Sequence, residues 1–204
     1  MDSSYKILVP PAALPLNLAL VKEHLRLDPT DVSQDSYLTL LIETARDFAQ
    51  LYTKRTMINT TYRTYRNCFS DKIELRRSIF QSLEQFQYSV SDVFIDVDSS
   101  LYYLTNEKDY SKILLADTKS YPTDIDDKAQ SVLIDFVAGF GASEASIPSD
   151  LKIAMLNHIA TMYENRGDCD LASVGNNLPA TSRGIYDQWR ILDLIGETDY
   201  SSIY

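Results

Sequence analysis

The side chains best suited to chemistry in this sequence are aspartates, and they fall in two short runs. Asp92, Asp96 and Asp98 are spaced by four and two, so on a strand Asp96 and Asp98 share one face and could attract a divalent ion. A calcium loop needs a glycine at its sharp bend and a bidentate acid at its end, and neither is present. Solvated carboxylates at a hairpin turn explain the run more simply. Asp124, Asp126 and Asp127 could form a nuclease cluster, but no lysine or histidine is expected to engage them, so they read as a solvated loop. His158 recurs with apolar residues at helical spacing, which suits a hydrogen-bonded core or interface histidine better than a general base, and His24 is read the same way. Cys68 and Cys169 lack CxxC spacing, and with two histidines they do not make a zinc set; both read as buried or half-buried free thiols in a reducing cytoplasm. No serine sits in a GxSxG setting. Gly139-Phe140-Gly141 follows a strand pattern but lacks the third glycine and the helix of a phosphate loop. The sequence therefore predicts no catalytic, metal or cofactor site, and no enzyme.

One basic cluster remains: Arg63, Arg66, Lys72, Arg76 and Arg77, interleaved with Tyr62, Tyr65 and Phe69. It has three readings: a wet sheet face, a contact with another subunit or partner through Arg63, Arg66, Arg76 and Arg77, or a phosphate-binding patch. A net charge of -10 argues against the whole surface clamping nucleic acid, since phosphate binding needs a basic face. The 14 tyrosines suit half-buried interface surfaces, because the ring is apolar and its hydroxyl polar.

The elements that must position these groups follow from periodicity. Residues 1–15 carry three prolines and read as an extended arm. Asn17 is a good N-cap, with Leu16 folding onto Val21 as a hydrophobic staple, so a short helix starts near Leu18 and stops before Asp28-Pro29. Tyr37, Leu40, Leu41, Thr44, Ala45, Phe48, Leu51 and Tyr52 keep the three-and-four spacing of a helix reaching about Lys54. Strand-rich segments follow: 60–69, 73–75, 90–97, 101–104 and 131–138, with 93–97 and 101–104 expected as a hairpin. Residues 78–87 fit a helical turn or a loop, and 116–130 a polar loop. Pro148 suits the start of a helix whose stripe is Leu151, Ala154, Met155, His158, Ile159, Met162 and Tyr163, ended by Gly167. After a polar linker over 168–181, Ile185, Trp189 and Leu192 mark a last short helix. No segment approaches the roughly 20 apolar residues that cross a bilayer, and no leader pattern opens the sequence, which predicts a soluble, unprocessed chain without a membrane partner.

Several of these motifs, in this order, resemble the head-to-tail connector (adaptor) proteins of tailed bacteriophages. The resemblance rests on Leu18 to Asp28 (LALVKEHLRLD), Asp35 to Tyr52, the following TKRTM, Val137-Ala138-Gly139-Phe140-Gly141, Ile147-Pro148, and Ala154 through Arg166, and covers about the first 190 residues. Leu75-Arg76-Arg77-Ser78 departs from the pattern, since similar proteins tend to have a proline-rich turn there. The resemblance implies an α+β fold: a four-helix connector core with an antiparallel β-lobe inserted between the second and third long helical segments. Applied to this sequence, the arm is 1–15, the core 16–56 and 139–192, the lobe 57–138 and the tail 193–204. Leu25, Leu41, Ala45, Phe48, Met155, Ile159, Tyr163 and Trp189 are the expected core anchors.

The resemblance further implies a homo-oligomeric, dodecameric ring beneath the portal protein. Such a ring extends the DNA channel, passes genomic DNA without sequence-specific binding, and docks a downstream neck or tail protein. Its location would be the neck of the virion, and the host cytoplasm during assembly. The tail lies beyond the resemblance. Its apolar Leu194, Ile195, Tyr200, Ile203 and Tyr204, on a segment too short to fold alone, are expected to reach the portal. Two other readings compete: a DNA-binding packaging factor using the Arg63 to Arg77 cluster, and a metal-dependent hydrolase using the aspartates.

Overall fold

The computed structural model describes residues 5–106, 110–165 and 178–191. It is an α+β structure with two apolar cores, one made by helices and the other between two antiparallel sheets.

Helix α1 (Leu18–His24) starts where Asn17 Oδ1 accepts the Ala19 N–H at 2.9 Å, with Leu16 and Val21 both buried beside it. It ends earlier than the proline implied. Arg26 adopts a left-handed conformation (φ 56°), and the Leu27 and Arg26 N–H groups turn back onto the Lys22 and Glu23 carbonyls. No glycine marks that cap, so the sequence concealed it. Buried Lys22 ties α1 to the next helix through Asp35 (2.6 Å) and the Asp31 carbonyl (2.7 Å).

Helix α2 (Asp35–Thr53) buries Leu38, Leu41, Ile42, Ala45, Ala49 and Thr53. This face is rotated from the expected stripe: Leu40 and Leu51 are 56% and 70% exposed and lie on the outside. Helix α3 (Ser149–Glu164) follows Pro148, which occupies the capping position ahead of the first turn, and buries Leu151, Ala154, Met155, Leu156, His158 and Ile159. Helix α4 (Ala180–Trp189) follows Pro179 and places Tyr186 at the centre of the helical core. The Ser182 hydroxyl donates to the Ala154 carbonyl at 2.9 Å, clasping α4 to α3.

The larger sheet has the order β1 (Tyr5–Val9), β2 (Thr60–Arg66), β8 (Val132–Ala138), β4 (Phe80–Val90), β5 (Val93–Asp96), antiparallel throughout. The smaller contains β3 (Lys72–Leu75), β7 (Ser111–Leu115) and β6 (Tyr102–Asn106) in that order. Alternation on β8 sends Val132, Ile134, Phe136 and Ala138 into the space between the sheets, where they meet Ile73, Leu75 and Ile113. Phe69 stacks on Tyr121 at 4.4 Å, sealing one end of that core.

Three local expectations change. The arm carries β1, the edge strand of the larger sheet, paired with β2. Residues 80–87 are neither helix nor loop but most of β4, the long strand that crosses β8. The segments 93–97 and 101–104 do not form a hairpin: β5 pairs back onto β4, a 3-10 turn over Ser99–Leu101 carries the chain across, and β6 pairs with β7 in the other sheet. Asp98 caps that turn by accepting the Ser100 N–H at 2.8 Å.

Candidate assembly surfaces

The helical core and the strands meet at a junction built from backbone polar groups and one buried arginine. Arg55 is 4% exposed; its Nε donates to the Trp189 carbonyl at 2.7 Å and its Nη1 to the Ser78 hydroxyl at 2.8 Å, with the guanidinium 5.8 Å from the Trp189 ring centre. One side chain thus fastens the end of α2 to α4 and to the start of β4. Around it, Thr56 N–H donates to Ser78, Gly139 N–H to Ile79, Phe140 N–H to Met57 and Asn59 N–H to Gly141. Gly139 is required here: its φ is 151°, and a Cβ would lie 2.5 Å from the Asn59 nitrogen. In the sequence the TKRTM segment carries part of the family resemblance, and nothing in it assigns Arg55 a role. The signal available was an arginine directly after a helix and before a strand, which does not by itself distinguish a buried hub from a surface charge.

The basic cluster is largely engaged within the chain. Register pairs Arg63 of β2 with Asp135 of β8, and the guanidinium grips the carboxylate with two bonds, 2.7 and 2.6 Å. Asp135 is 2% exposed, and its hydrogen bond holds the Arg63 pKa above the ordinary value. Arg66 reaches the Glu74 carbonyl at 3.3 Å, while Arg76 and Lys72 both bind the Glu74 carboxylate. Partial burial pushes the Glu74 carboxyl upward, but those hydrogen bonds outweigh it and hold the group low. Arg77 lies over the rings of Tyr5 and Tyr62, 5.4 Å from each centre. The cluster therefore braces β2, β3 and the arm.

The aspartates also do separate structural work. Asp126 accepts from the Ser89 hydroxyl at 2.6 Å, from the Asp92 and Ser91 N–H groups, and from Lys128, and these bonds hold its carboxyl far below the usual range. Lys128 also binds Asp92, so Asp126 has the lysine partner that the sequence reading did not assign. Together they clamp the β4–β5 turn, where Ser91 and Asp92 have positive φ. Asp96 accepts from Gln87 at 2.8 Å. Among the described residues, no group of three or more histidine, cysteine or acidic side chains could hold a metal ion.

His158 is buried against the edge of the Phe48 ring at 4.9 Å, and burial lowers its pKa. His24, by contrast, is exposed at the end of α1, and Cys68 is exposed rather than buried. Cys169 lies outside the described residues. No helix among the described residues is long and apolar enough to cross a membrane.

The fold leaves apolar side chains exposed on helices, Leu40, Leu51 and Ile153 among them, and in runs on two strands. Ile7, Leu8 and Val9 are exposed on β1, and Val93, Phe94 and Ile95 on β5, the two outer strands of the same sheet.

Residues 16–113 match the family model described as phage gp6-like head-tail connector protein. Over that span, just under half of its length, the chain is similar to the head-tail connector family. The match runs from the residue before the Asn17 cap, through the Arg55 hub, to β7. The wider fold is similar to chains in gene transfer agent (GTA) particles. A chain from the neck of an empty GTA particle computed with C6 symmetry is 22% identical, with TM-score 0.76 over 96% of this chain and 98% of that one. A chain from the virion of a native particle is 21% identical, with TM-score 0.73 over 94% and 97%. A chain from the neck of a native particle computed with C12 symmetry is 22% identical, with TM-score 0.71 over 96% and 98%. These likenesses establish the fold. No curated protein matches the sequence.

Leu41, Ala45, Met155 and Ile159 are buried in the helical core, and Leu25, Phe48, Tyr163 and Trp189 are partly buried against it. Leu194, Ile195, Tyr200, Ile203 and Tyr204 lie outside the described residues.

Proposed function

We propose that this protein is a structural head-tail connector that assembles as a ring beneath the portal of a tailed phage or phage-like particle. The reading is supported above all by the family match over residues 16–113 coinciding with a fold that follows neck chains over nearly their whole length. Twelve copies would suit the twelvefold symmetry with which one of those necks was computed. In this role the helical segments 16–56 and 139–192 act as the connector core, and 57–138 as the inserted β-lobe. The ring extends the DNA channel, genomic DNA passes without sequence-specific contacts, and the lower face docks a neck or tail protein. The acidic balance suits a conduit that must not retain DNA. Residues 193–204 contact the portal through Leu194, Ile195, Tyr200, Ile203 and Tyr204. Assembly takes place in the host cytoplasm, and the mature location is the neck of the virion.

Co-sedimentation with the purified portal tests this reading. Full-length protein is expected to co-migrate with portal rings, and a chain lacking residues 193–204 to lose that association while keeping its helical circular dichroism. A full-length chain that stays apart from the portal at high concentration would overturn it.

A further inference from the structure

We infer that neighbouring copies of this chain meet through opposite edges of the larger sheet, β1 of one copy against β5 of the next. This deepens the ring reading proposed above and rests on it. A sheet edge exposes unpaired backbone groups, and soluble proteins usually blunt it with charge, proline or a covering element. Here Lys6, Pro10 and Pro11 at β1 and the aspartates flanking the apolar run of β5 blunt the edges only in part, and both edges carry three consecutive exposed apolar residues, Ile7-Leu8-Val9 and Val93-Phe94-Ile95. The two runs differ in sequence and stand at opposite ends of one five-stranded sheet, so each copy offers one surface to the left and a different one to the right. Such a heterologous contact repeats around a ring and does not close as a two-fold dimer.

Direction and charge both favour a second copy as the occupant. Four antiparallel steps separate β1 from β5, so the two strands run the same way and would lie parallel across the contact. In the parallel alignment that sets Ile7, Leu8 and Val9 beside Val93, Phe94 and Ile95, exposed Lys6 falls level with Asp92, whose side chain stays 90% exposed while also binding Lys128. Lys6 is the one charge on β1; Asp92 and Asp96 bracket the apolar run of β5. A register irregularity between Ile7 and Val9 interrupts β1, so packed side chains rather than a full hydrogen-bond ladder carry the contact. The two edges are also offset: β1 is level with residues 134–137 of β8, and the β5 end at Asp96 with Leu133. Their apposition therefore sets the strands oblique to the ring axis.

Cysteine cross-linking on portal-bound rings tests the contact, using a background of Cys68→Ser and Cys169→Ser. Chains carrying Leu8→Cys and chains carrying Phe94→Cys, mixed and oxidised, should form a disulfide-linked dimer of twice the 23.2 kDa chain. Neither variant alone should do so, and the double variant should give a ladder of multiples. Lys6→Glu should reduce the cross-linked fraction about fivefold, the equivalent of about 1 kcal/mol, and adding Asp92→Lys should restore it. Portal-bound rings whose mixed variants fail to link, or in which either single variant links to itself as readily, would overturn the edge contact and leave the connector reading standing. Wild-type chains that never join the portal would overturn the connector reading, and this inference with it.

Discussion

At the residue scale, several ionisable groups among the described residues act as internal struts. Breaking a buried ion pair leaves its partner charged and unmatched. Arg63→Met should therefore cost about 3 kcal/mol in denaturant unfolding, the low end of the range for such a loss because Arg63 is still partly exposed. Replacing both partners, Arg63→Met with Asp135→Leu, should recover most of it. Equal losses in the single and double variants would show that the pair is not the brace. Tyr186 gives the opposite sign: its hydroxyl is buried without a hydrogen-bond partner among the described residues, and burial raises its pKa. Tyr186→Phe should be neutral or stabilise by about 1 kcal/mol, measured as a shift in the denaturant midpoint.

His158 supplies a pH dependence. Burial depresses its folded pKa below the ordinary 6.5, so as pH falls through 6.5 the unfolded chain binds the proton first. Its contribution is complete above that value and is lost on acidification toward the folded pKa. The denaturation midpoint of wild type should fall more between pH 7.5 and 5.5 than that of His158→Gln. Identical falls would remove His158 as the cause. None of these roles was visible in sequence beyond the helical phase of His158, because a strand position shows which face a charge occupies but not what lies opposite. Asp135 is 72 residues from Arg63, and only the β2–β8 register brings them together.

At the element scale, the helices were the most legible because their signals are local. Asn17 and Leu16 announced α1, and the proline before α3 announced that helix, through capping and backbone geometry alone. Pairing between distant strands was less legible. The hairpin expected at 93–104 had strand formers on both sides of a polar turn, yet each half found a partner elsewhere. The rotated face of α2 has a similar origin: Leu40 and Leu51 fit the helical period as well as Leu38 and Ile42, and only the packing of α3 and α4 selects between them. Two glycines test the element account in opposite directions. Gly139→Ala, placing a Cβ against Asn59 backbone at positive φ, should destabilise by about 2 to 4 kcal/mol. Gly184→Ala, in α4 with open space around the new methyl, should stabilise by about 0.5 to 1 kcal/mol. Thermal unfolding checks both. A tolerated Gly139→Ala would mean the helix–strand junction is looser than described.

At the scale of the whole molecule, the division of labour is between an interior that consumes the polar chemistry and a surface that displays apolar strands. The family-model match over residues 16–113 and the fold shared with neck chains are what the proposed assembly role of that surface rests on. The resemblance was readable because its motifs sit where helices begin, end and meet the sheet, positions fixed by backbone geometry. The surfaces that neighbours would cover carry no such signal, since an exposed edge strand and a buried one can share the same residues. Cryo-electron microscopy of assembled particles carrying this chain tests the connector role most directly. A closed ring of this chain directly below the portal, its channel continuous with the portal channel, is expected. Density for this chain elsewhere in the particle, or isolated copies that make no ring, would contradict it.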